Sequence, residues 1–343
     1  MHPGRHAVSR FGACILDAEG LRLTAEEKAF FAAADPFGFI LFARNIDTPE
    51  QVAALCDEMR AAVGRNAPIL IDQEGGEVQR MRPPHWRAWP PLRAQVEEAG
   101  DAAEEAIYLR HRIIADELRA AGVDGNCAPV LDVACAATHP FLKNRCLGRD
   151  AGTVARLGRR AADGLLAGGV LPVAKHIPGH GRATADSHVE LPVAEADAAD
   201  LHAVDFAPFR ALNDLPMAMT AHVVYPALDT RPATTSPTVM GVIREEIGFD
   251  GLIMTDDISM KALSGSPGEI ARDALSAGCD VILHCNGTLE ARRAVAEAAG
   301  RLSDRGQARA GAALAARRAP DAVDISALEA KLEALMKGRG NAG

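Results

Sequence analysis

An eightfold alternation between short apolar runs and longer alanine-rich stretches is the feature that most constrains the fold of this 343-residue chain. The apolar runs are often β-branched, as buried strands are, whereas the alanine-rich stretches have the amphipathic pattern of helices. Several helical stretches begin at capping residues, such as Thr48, Asp101 and Ser266. The sequence predicts strands near residues 8–16, 38–43, 67–72, 123–133, 171–176, 217–224, 251–256 and 281–285. It predicts helices near residues 24–34, 48–63, 101–121, 151–167, 200–213, 238–247, 267–277 and 289–303.

Repeated strand–helix units build a parallel sheet, and eight such units are the number that closes a barrel. The pattern therefore predicts an α/β fold, a single (β/α)8 TIM barrel. An open doubly wound sheet is the structural alternative. It would need fewer strands and usually a glycine fingerprint after the first strand, which this sequence lacks.

The end of the chain has a different composition and predicts a helical tail. Alanine and arginine dominate residues 306–318, and Pro320 precedes a last helix from Ile325 to Met336. Leucines at positions 328, 332 and 335 of that helix share one face, which favours docking on the barrel. We therefore predict a (β/α)8 barrel over residues 1–305 and a packed helical tail over residues 306–343.

Polar residues follow six consecutive predicted strands, from the third to the eighth. In such barrels, chemistry collects at the carboxyl ends of the strands, whereas an accidental pattern would also scatter polar residues along the helices. The pattern therefore predicts a functional site at that rim. The residues concerned are Asp72 after strand three; Asn126, Asp132 and Arg145 with strand four; Lys175 and His176 in strand five; His222 with strand six; Asp256 and Asp257 after strand seven; and His284, Cys285 and Asn286 at strand eight.

The stretch 174–188 is the densest of these polar segments, with three histidines, a lysine, an arginine and an aspartate. A solvated surface loop with incidental histidines is the simpler interpretation. It fits poorly, because Lys175 and His176 lie on the strand end itself. Pro178 and Gly179 then give the following loop a specific backbone path. We interpret the stretch as part of a functional site.

Carboxylates at a barrel rim suggest hydrolysis of a glycosidic bond, in which one group attacks or stabilises the sugar centre and another handles the leaving-group proton. Asp72, Asp256 and Asp257 are candidates for the first role. Asp186 and His188 fit the second, because a nearby carboxylate can orient the ring or raise its pKa. The strand period separates Asp256 from Asp257 without showing which of them faces the lumen, and Asp257 can instead cap the following helix.

Composition bears on the class of partner. The 37 Lys and Arg against 46 Asp and Glu give a formal net charge of −9, which disfavours nucleic acid or an anionic membrane as the main partner. Seven scattered cysteines without a CxxC pair indicate reduced thiols. The first residues lack a signal-peptide pattern, and no run of about 20 apolar residues is present. We expect a cytoplasmic monomer that acts on a small molecule.

Three motifs resemble glycoside hydrolase family 3, and within it the single-domain bacterial β-N-acetylhexosaminidases. Together they are highly specific, and the resemblance extends from about residue 10 to residue 300. The motifs are Lys175-His176-Ile177-Pro178-Gly179-His180-Gly181 with Asp186-Ser187-His188; Asp72-Gln73-Glu74-Gly75-Gly76 with Val78-Gln79-Arg80; and the run from Val242-Ile243-Arg244 through Gly251 to Asp256-Asp257-Ile258-Ser259.

The resemblance implies a retaining glycosidase in which Asp256 is the nucleophile and His188, held by Asp186, is the acid/base. It also implies cleavage of N-acetylglucosamine from anhydro-muropeptides during cell-wall recycling. The residues that it implies for holding the N-acetylglucosamine unit are Asp72, Arg80, Arg145, Lys175 and His176.

This chain departs from the family pattern in two places. The family commonly has arginine where this chain has Glu77, and serine or alanine followed by phenylalanine where this chain has Cys146 and Leu147. Neither departure touches the implied catalytic positions. We expect them to affect the sugar-binding rim or the tolerance for the aglycone.

Two other interpretations remain open. One is a metal-dependent hydrolase, although Pro178 and Gly179 interrupt the helical spacing that would bring two histidines to one metal, and Lys175 adds a cation. The other is a sugar-binding barrel without catalysis. We expect neither a metal nor a cofactor. The candidate metal ligands are His176, His180, Asp186 and His188.

Overall fold

Eight parallel strands form the centre of the molecule in the computed structural model, which describes residues 11–184 and 191–337. Each strand pairs with its neighbour in sequence, and β8 pairs with β1. A parallel bridge between Met254 and Val281 brings β7 against β8, so the sheet closes on itself. The predicted barrel is confirmed. The strands are β1 Gly12–Leu16, β2 Pro36–Leu41, β3 Ile69–Ile71, β4 Gly125–Asn126, β5 Leu171–Ile177, β6 Met217–Thr220, β7 Leu252–Met254 and β8 Ile282–His284.

Strand four is much shorter than predicted, and Pro129 supplies the reason. Proline has no N–H to donate to the ladder, so the regular pairing stops after Asn126. The chain nevertheless stays beside β5, because Lys175 donates its N–H to the Pro129 carbonyl and Leu131 donates to the Lys175 carbonyl. Polar residues that follow β4 are thereby held against the end of β5.

Helices surround the barrel, and those that begin at Thr48 and Ser266 have the predicted caps. The prediction that Asp101 caps a helix is wrong: α4 begins at Ala103, after a short 3-10 turn that contains Asp101. The helices are α1 Ala25–Ala34, α2 Pro49–Val63, α3 Leu92–Ala99, α4 Ala103–Ala120, α5 Pro140–Lys143, α6 Ala151–Ala167, α7 Ala198–Asp200, α8 Ala207–Ala211, α9 Pro237–Gly241, α10 Pro267–Ala277, α11 Leu289–Ala299, α12 Asp304–Ala315 and α13 Ile325–Lys337.

Two of the predicted helices are interrupted by π-helical turns. The predicted helix at 200–213 consists of α7, the turn Leu201–Asp205 and α8, and the predicted helix at 238–247 continues from α9 into Val242–Glu246. Pro208 lies in the first turn of α8, where its missing N–H removes no bond from the helix interior.

The last two helices pack against the outside of the barrel. Helix α13 contacts α3 and α4 and buries Leu332. Before it, Arg317 donates to the buried Asp124 at 2.8 Å, and in α12 Arg309 lies 3.1 Å from Asp280. The division of the chain at residue 305 stays a prediction. Within the part of the chain that the structure describes, no helix is both long and apolar enough to span a bilayer.

Candidate active site

A cavity of about 300 Å³ opens at the carboxyl ends of the barrel strands. Apolar side chains from β2, β6 and β8, namely Ile40, Met219 and Leu283, form part of its wall. Among the residues predicted from the sequence, Asp186 and His188 lie outside the described residues. The other implied catalytic and sugar-binding residues line this one cavity, namely Asp72, Arg80, Arg145, Lys175, His176 and Asp256, as do His180, Asp257, Cys285 and Asn286.

Asp72 is held by two cations. Lys175 donates to Oδ1 at 2.9 Å, and Arg80 donates to Oδ2 at 2.9 Å. Burial opposes the charge of Asp72, but the charges of Lys175 and Arg80 outweigh it and hold the pKa of the carboxyl well below its usual range. Asp72 is therefore an ionised acceptor fixed at the floor of the cavity.

A hairpin immediately after β3 explains why Arg80 returns to Asp72. Its strands are Gln73–Gly75 and Val78–Gln79. Gly75 and Gly76 have φ angles of 109° and 59°, and a Cβ at Gly75 would overlap the guanidinium of Arg110. The Gln73 amide oxygen accepts the backbone N–H of Arg80 and of Met81 at 3.0 Å each. This local pairing fixes the backbone from which Arg80 reaches back over eight residues.

Glu74 is a partner that the rim pattern did not single out. Arg145 donates to both of its oxygens, through Nε and Nη2 at 2.9 Å each, and Lys175 Nζ lies 2.6 Å from Oε1. Burial opposes the charge of Glu74, but Arg145 and Lys175 lower its pKa to about 2. Arg80, Asp72, Lys175, Glu74 and Arg145 thus form a chain of five alternating charges, which we call the rim ion chain.

His176 continues this arrangement on the other side of Arg145. Its Nδ1 lies 2.7 Å from Asp132 Oδ2, and its Nε2 lies 3.4 Å from Arg145 Nη2. Since arginine can only donate, Nε2 accepts and Nδ1 carries the proton that is donated to Asp132. His176 is thereby assigned as a neutral ring with both nitrogens engaged. Asp132, which the sequence pattern placed at the rim without indicating a role, orients the His176 ring.

The loop after β5 is fixed as far as the structure describes it, to Thr184. His180 donates its backbone N–H to Asp132 at 2.7 Å, and the Tyr225 hydroxyl donates to the Gly179 carbonyl at 2.7 Å. Arg182 donates to Asp205 at 2.6 Å. The glycines at this loop therefore serve a defined backbone path, because a Cβ at Gly181 would overlap the Val133 carbonyl and Gly179 has a φ angle of 142°.

Asp256 and Asp257 both line the cavity but have different surroundings. Asp256 is half-buried and accepts the N–H of Asp257 at 2.8 Å. Burial opposes its charge, but the His222 and His176 rings and the Asp257 N–H outweigh burial and lower the Asp256 pKa. The carboxylate is therefore ionised at the wall of the cavity.

Asp257 joins two loops and does not cap a helix, because the next helix begins at Pro267 with Ser266 as its cap. It accepts from the Ser259 hydroxyl at 2.7 Å and from the Asn286 amide at 3.1 Å. The helix-cap interpretation of Asp257 is wrong. Its role is to tie the loop after β7 to the end of β8.

His222 braces the same region from β6. It is buried, and its Nε2 lies 3.1 Å from the Asp257 carbonyl, which can only accept. The proton therefore sits on Nε2, and Nδ1 accepts from the Thr234 hydroxyl at 2.7 Å. Burial lowers the pKa of His222, which keeps the ring neutral beside Asp256.

The two departures from the family pattern lie in different environments. Glu77 is exposed, lines the mouth of the cavity and accepts from the Asn144 amide at 3.2 Å. Cys146 and Leu147 are buried and are not among the residues that line the cavity. Of these three residues, only Glu77 is therefore placed to contact a ligand in the cavity.

The metal alternative depends on His176, His180, Asp186 and His188 as ligands. Among residues 11–184 and 191–337, no group of three or more His, Cys, Asp and Glu side chains is arranged to hold a metal ion. Of the four candidate ligands, Asp186 and His188 lie outside the described residues, and His176 has both ring nitrogens engaged. A metal on His176 would have to displace Asp132 or Arg145.

Comparison with known proteins agrees with this geometry. The model of the glycosyl hydrolase family 3 N-terminal domain matches residues 15–312. A β-hexosaminidase from Nitrosospira multiformis is 39% identical over 296 residues, which cover 83% of this chain and 84% of the relative.

Two solved structures are similar over nearly the whole chain. NagZ from Neisseria gonorrhoeae in complex with N-trifluoroacetyl-D-glucosamine has a TM-score of 0.83 and 32% identity, over 96% of this chain and 97% of that one. A family 3 β-N-acetylglucosaminidase from Paenibacillus sp. has a TM-score of 0.83 and 32% identity, over 95% of this chain and 68% of that one. With a family model that spans most of its length and relatives this similar, the chain belongs to glycoside hydrolase family 3.

Proposed function

We propose that this protein is a retaining β-N-acetylhexosaminidase that releases a terminal β-linked N-acetylglucosamine. The observation that carries the proposal is the convergence of Asp256 on one cavity with four members of the rim ion chain, Asp72, Arg80, Arg145 and Lys175, in a family 3 glycoside hydrolase. The volume, about 300 Å³, is at the small end of ligand pockets and suits one sugar ring. The relatives that carry the names β-hexosaminidase and β-N-acetylglucosaminidase support the same activity.

Asp256 is the nucleophile in this mechanism. Its carboxylate attacks the anomeric carbon, and the bond from that carbon to the leaving oxygen breaks while His188 donates a proton to the oxygen. Water then gives a proton to His188 and displaces Asp256, which releases the sugar with its configuration retained. The role of His188, and of Asp186 in holding it, rests on the resemblance and on their spacing.

The rim ion chain and His176 hold the sugar. Asp72 accepts from sugar hydroxyls, Arg80, Arg145 and Lys175 donate to them, and the neutral His176 ring completes the wall. These groups are already ordered by one another, so a sugar meets donors and acceptors that need little rearrangement.

We further propose that the natural substrates are N-acetylglucosaminyl anhydro-muropeptides. The resemblance implies them, and the open mouth of the cavity supports them, because a bulky aglycone can remain in solvent while one sugar is enclosed. The cytoplasmic location and the monomeric state stay predictions.

Lys175→Met tests the sugar-binding role. The cavity loses a donor, and Asp72 and Glu74 are left facing each other without the cation between them. We expect kcat/KM for a chromogenic N-acetylglucosaminide to fall about 100-fold or more, together with a lower melting temperature. Arg244→Met is the control. Arg244 forms a salt bridge of 2.6 Å with Asp280, and neither residue is among those that line the cavity. Near-natural activity in Lys175→Met would show that the assignment is wrong.

Asp256 should carry a covalent glycosyl intermediate. A 5-fluoro glycosyl fluoride of the N-acetylglucosamine series slows the second step, so we expect the label on the peptide that contains Asp256 after mass mapping. Asp257→Asn should still be labelled, because that residue joins loops and does not attack. A label on another residue, or release of the α-anomer as first product, contradicts the mechanism.

His188→Ala should lose most activity on glycosides with poor leaving groups and much less on those with good ones. A good leaving group needs little protonation, so removal of the acid spares the first step. Adding Asp186→Ala to His188→Ala should cost little more, because the two act as one unit. Equal loss of activity on both kinds of glycoside would show that His188 is not the acid. In a separate measurement, loss of activity when a chelator is added to the natural chain would favour the metal alternative.

Turnover of chitobiose and of an anhydro-muropeptide under the same conditions tests the substrate proposal. We expect both to release N-acetylglucosamine, with the higher kcat/KM for the anhydro-muropeptide. Preference for chitobiose would reject the muropeptide as natural substrate while leaving the activity intact. Binding without turnover of either would instead favour the non-catalytic sugar-binding barrel.

A further inference from the structure

Glu74 lies behind the cavity wall and not on it. Its side chain is 1% exposed, and it is not among the residues that line the cavity. Both of its oxygens nevertheless bind side chains that do line the cavity, Arg145 and Lys175. Glu74 can therefore influence a bound sugar only through these two cations.

Arg145 and Lys175 need an anion between them. Both are buried, and the charge of Arg145 acts to lower the pKa of Lys175. Asp72 supplies one anion, but it is shared between Lys175 and Arg80. Glu74 is the carboxylate that lies between Arg145 and Lys175, so it sets the separation of these two sugar-facing donors.

The position of Glu74 is fixed from the side away from the cavity. Arg110 donates through Nη2 to the Glu74 carbonyl at 2.6 Å and to the Pro90 carbonyl at 2.8 Å. Arg110 is itself fully buried, and its guanidinium lies 5.2 Å from the centre of the Trp89 ring. The hairpin backbone that presents Glu74 is thus anchored to α4, which carries Arg110.

We propose that Glu74 is a positioning residue for the glycone pocket: it holds Arg145 and Lys175 in the arrangement that binds the sugar without touching the sugar itself. The identity of that sugar rests on the proposed function. The holding role does not, because it follows from the contacts of Glu74 alone.

The first test is the titration of Lys175 in Glu74→Gln. The variant keeps the shape of the side chain and removes its charge, so the pKa of Lys175 should fall. Carbon-13 NMR of labelled lysine, followed up to the highest pH at which the protein stays folded, tests this: we expect the Lys175 signal to begin to titrate earlier in the variant than in the natural chain. The signal that is absent from Lys175→Met assigns Lys175. The other groups that face Lys175 are unchanged between the two proteins, namely Asp72, Arg145, Cys127 and Asp256.

The second test is kinetic. Since the sugar contacts persist from the bound complex to the transition state, we expect KM to rise about tenfold or more with a smaller change in kcat. A role confined to stability would lower the melting temperature and leave KM as in the natural chain.

Asp280→Asn is the matched control. Asp280 is also a buried carboxylate held by two arginines, Arg244 at 2.6 Å and Arg309 at 3.1 Å, but these are not among the residues that line the cavity. We expect it to lower the melting temperature while KM stays as in the natural chain.

Glu74→Asp decides the question if Glu74→Gln does not fold. The shorter carboxylate keeps the charge but cannot reach both cations, so KM should rise while the Lys175 titration stays close to that of the natural chain. A KM within twofold of the natural value in Glu74→Asp, or in folded Glu74→Gln, overturns the proposal. If the natural chain does not cleave N-acetylglucosaminides, the proposed function fails, and the NMR titration still tests Glu74.

Discussion

The ammonium group of Lys175, held between the buried Glu74 and the half-buried Asp72, is the interaction on which the site depends. A lysine that is 2% exposed would lose its proton in an apolar interior, and buried carboxylates would gain one. Together they remain ionised, since Asp72 and Glu74 raise the pKa of Lys175 and Lys175 lowers theirs. The same three groups tie the hairpin after β3 to the end of β5, so the electrostatics and the architecture of the rim have one origin.

Neutral and ionised groups are separated around the cavity. The rim ion chain carries its charges on one side, whereas His222 and His176 are assigned as neutral rings by their hydrogen-bond partners. Asp256 lies beside both rings and keeps its negative charge without an arginine or lysine bound to it. An anion that is not engaged in a direct ion pair remains available to an electrophilic sugar carbon.

The sequence pattern was sufficient for the architecture and for the side chains at strand ends. Asp72, Lys175 and Asp256 could be found because position at the end of an apolar run carries the information. Glu74 and Asp132 could not be given roles in this way. Their partners lie 71 and 44 residues away, and periodicity indicates which face a residue occupies but not what it meets.

Two wrong predictions, the length of strand four and the helix-cap role of Asp257, each have an identifiable cause. Strand four was overextended because Val130 and Leu131 continue the apolar run, whereas the missing N–H of Pro129 ends the ladder. Asp257 resembles a helix cap in sequence, but its acceptors are used by Ser259 and by Asn286, which is 29 residues away. For Asp257, a contact outside the sequence window decided the structure.

The spacing of the rim contacts along the chain also orders the assembly of the site during folding. Arg80 and Asp72 are eight residues apart within one hairpin, whereas Lys175 reaches Asp72 across 103 residues. Short loops close at a lower entropic cost than long ones, so the first pair can form before the fifth strand arrives. A chain that has folded only its first half-barrel holds an acid–arginine pair and no sugar pocket. Sugar binding by this protein therefore reports that strand five has docked.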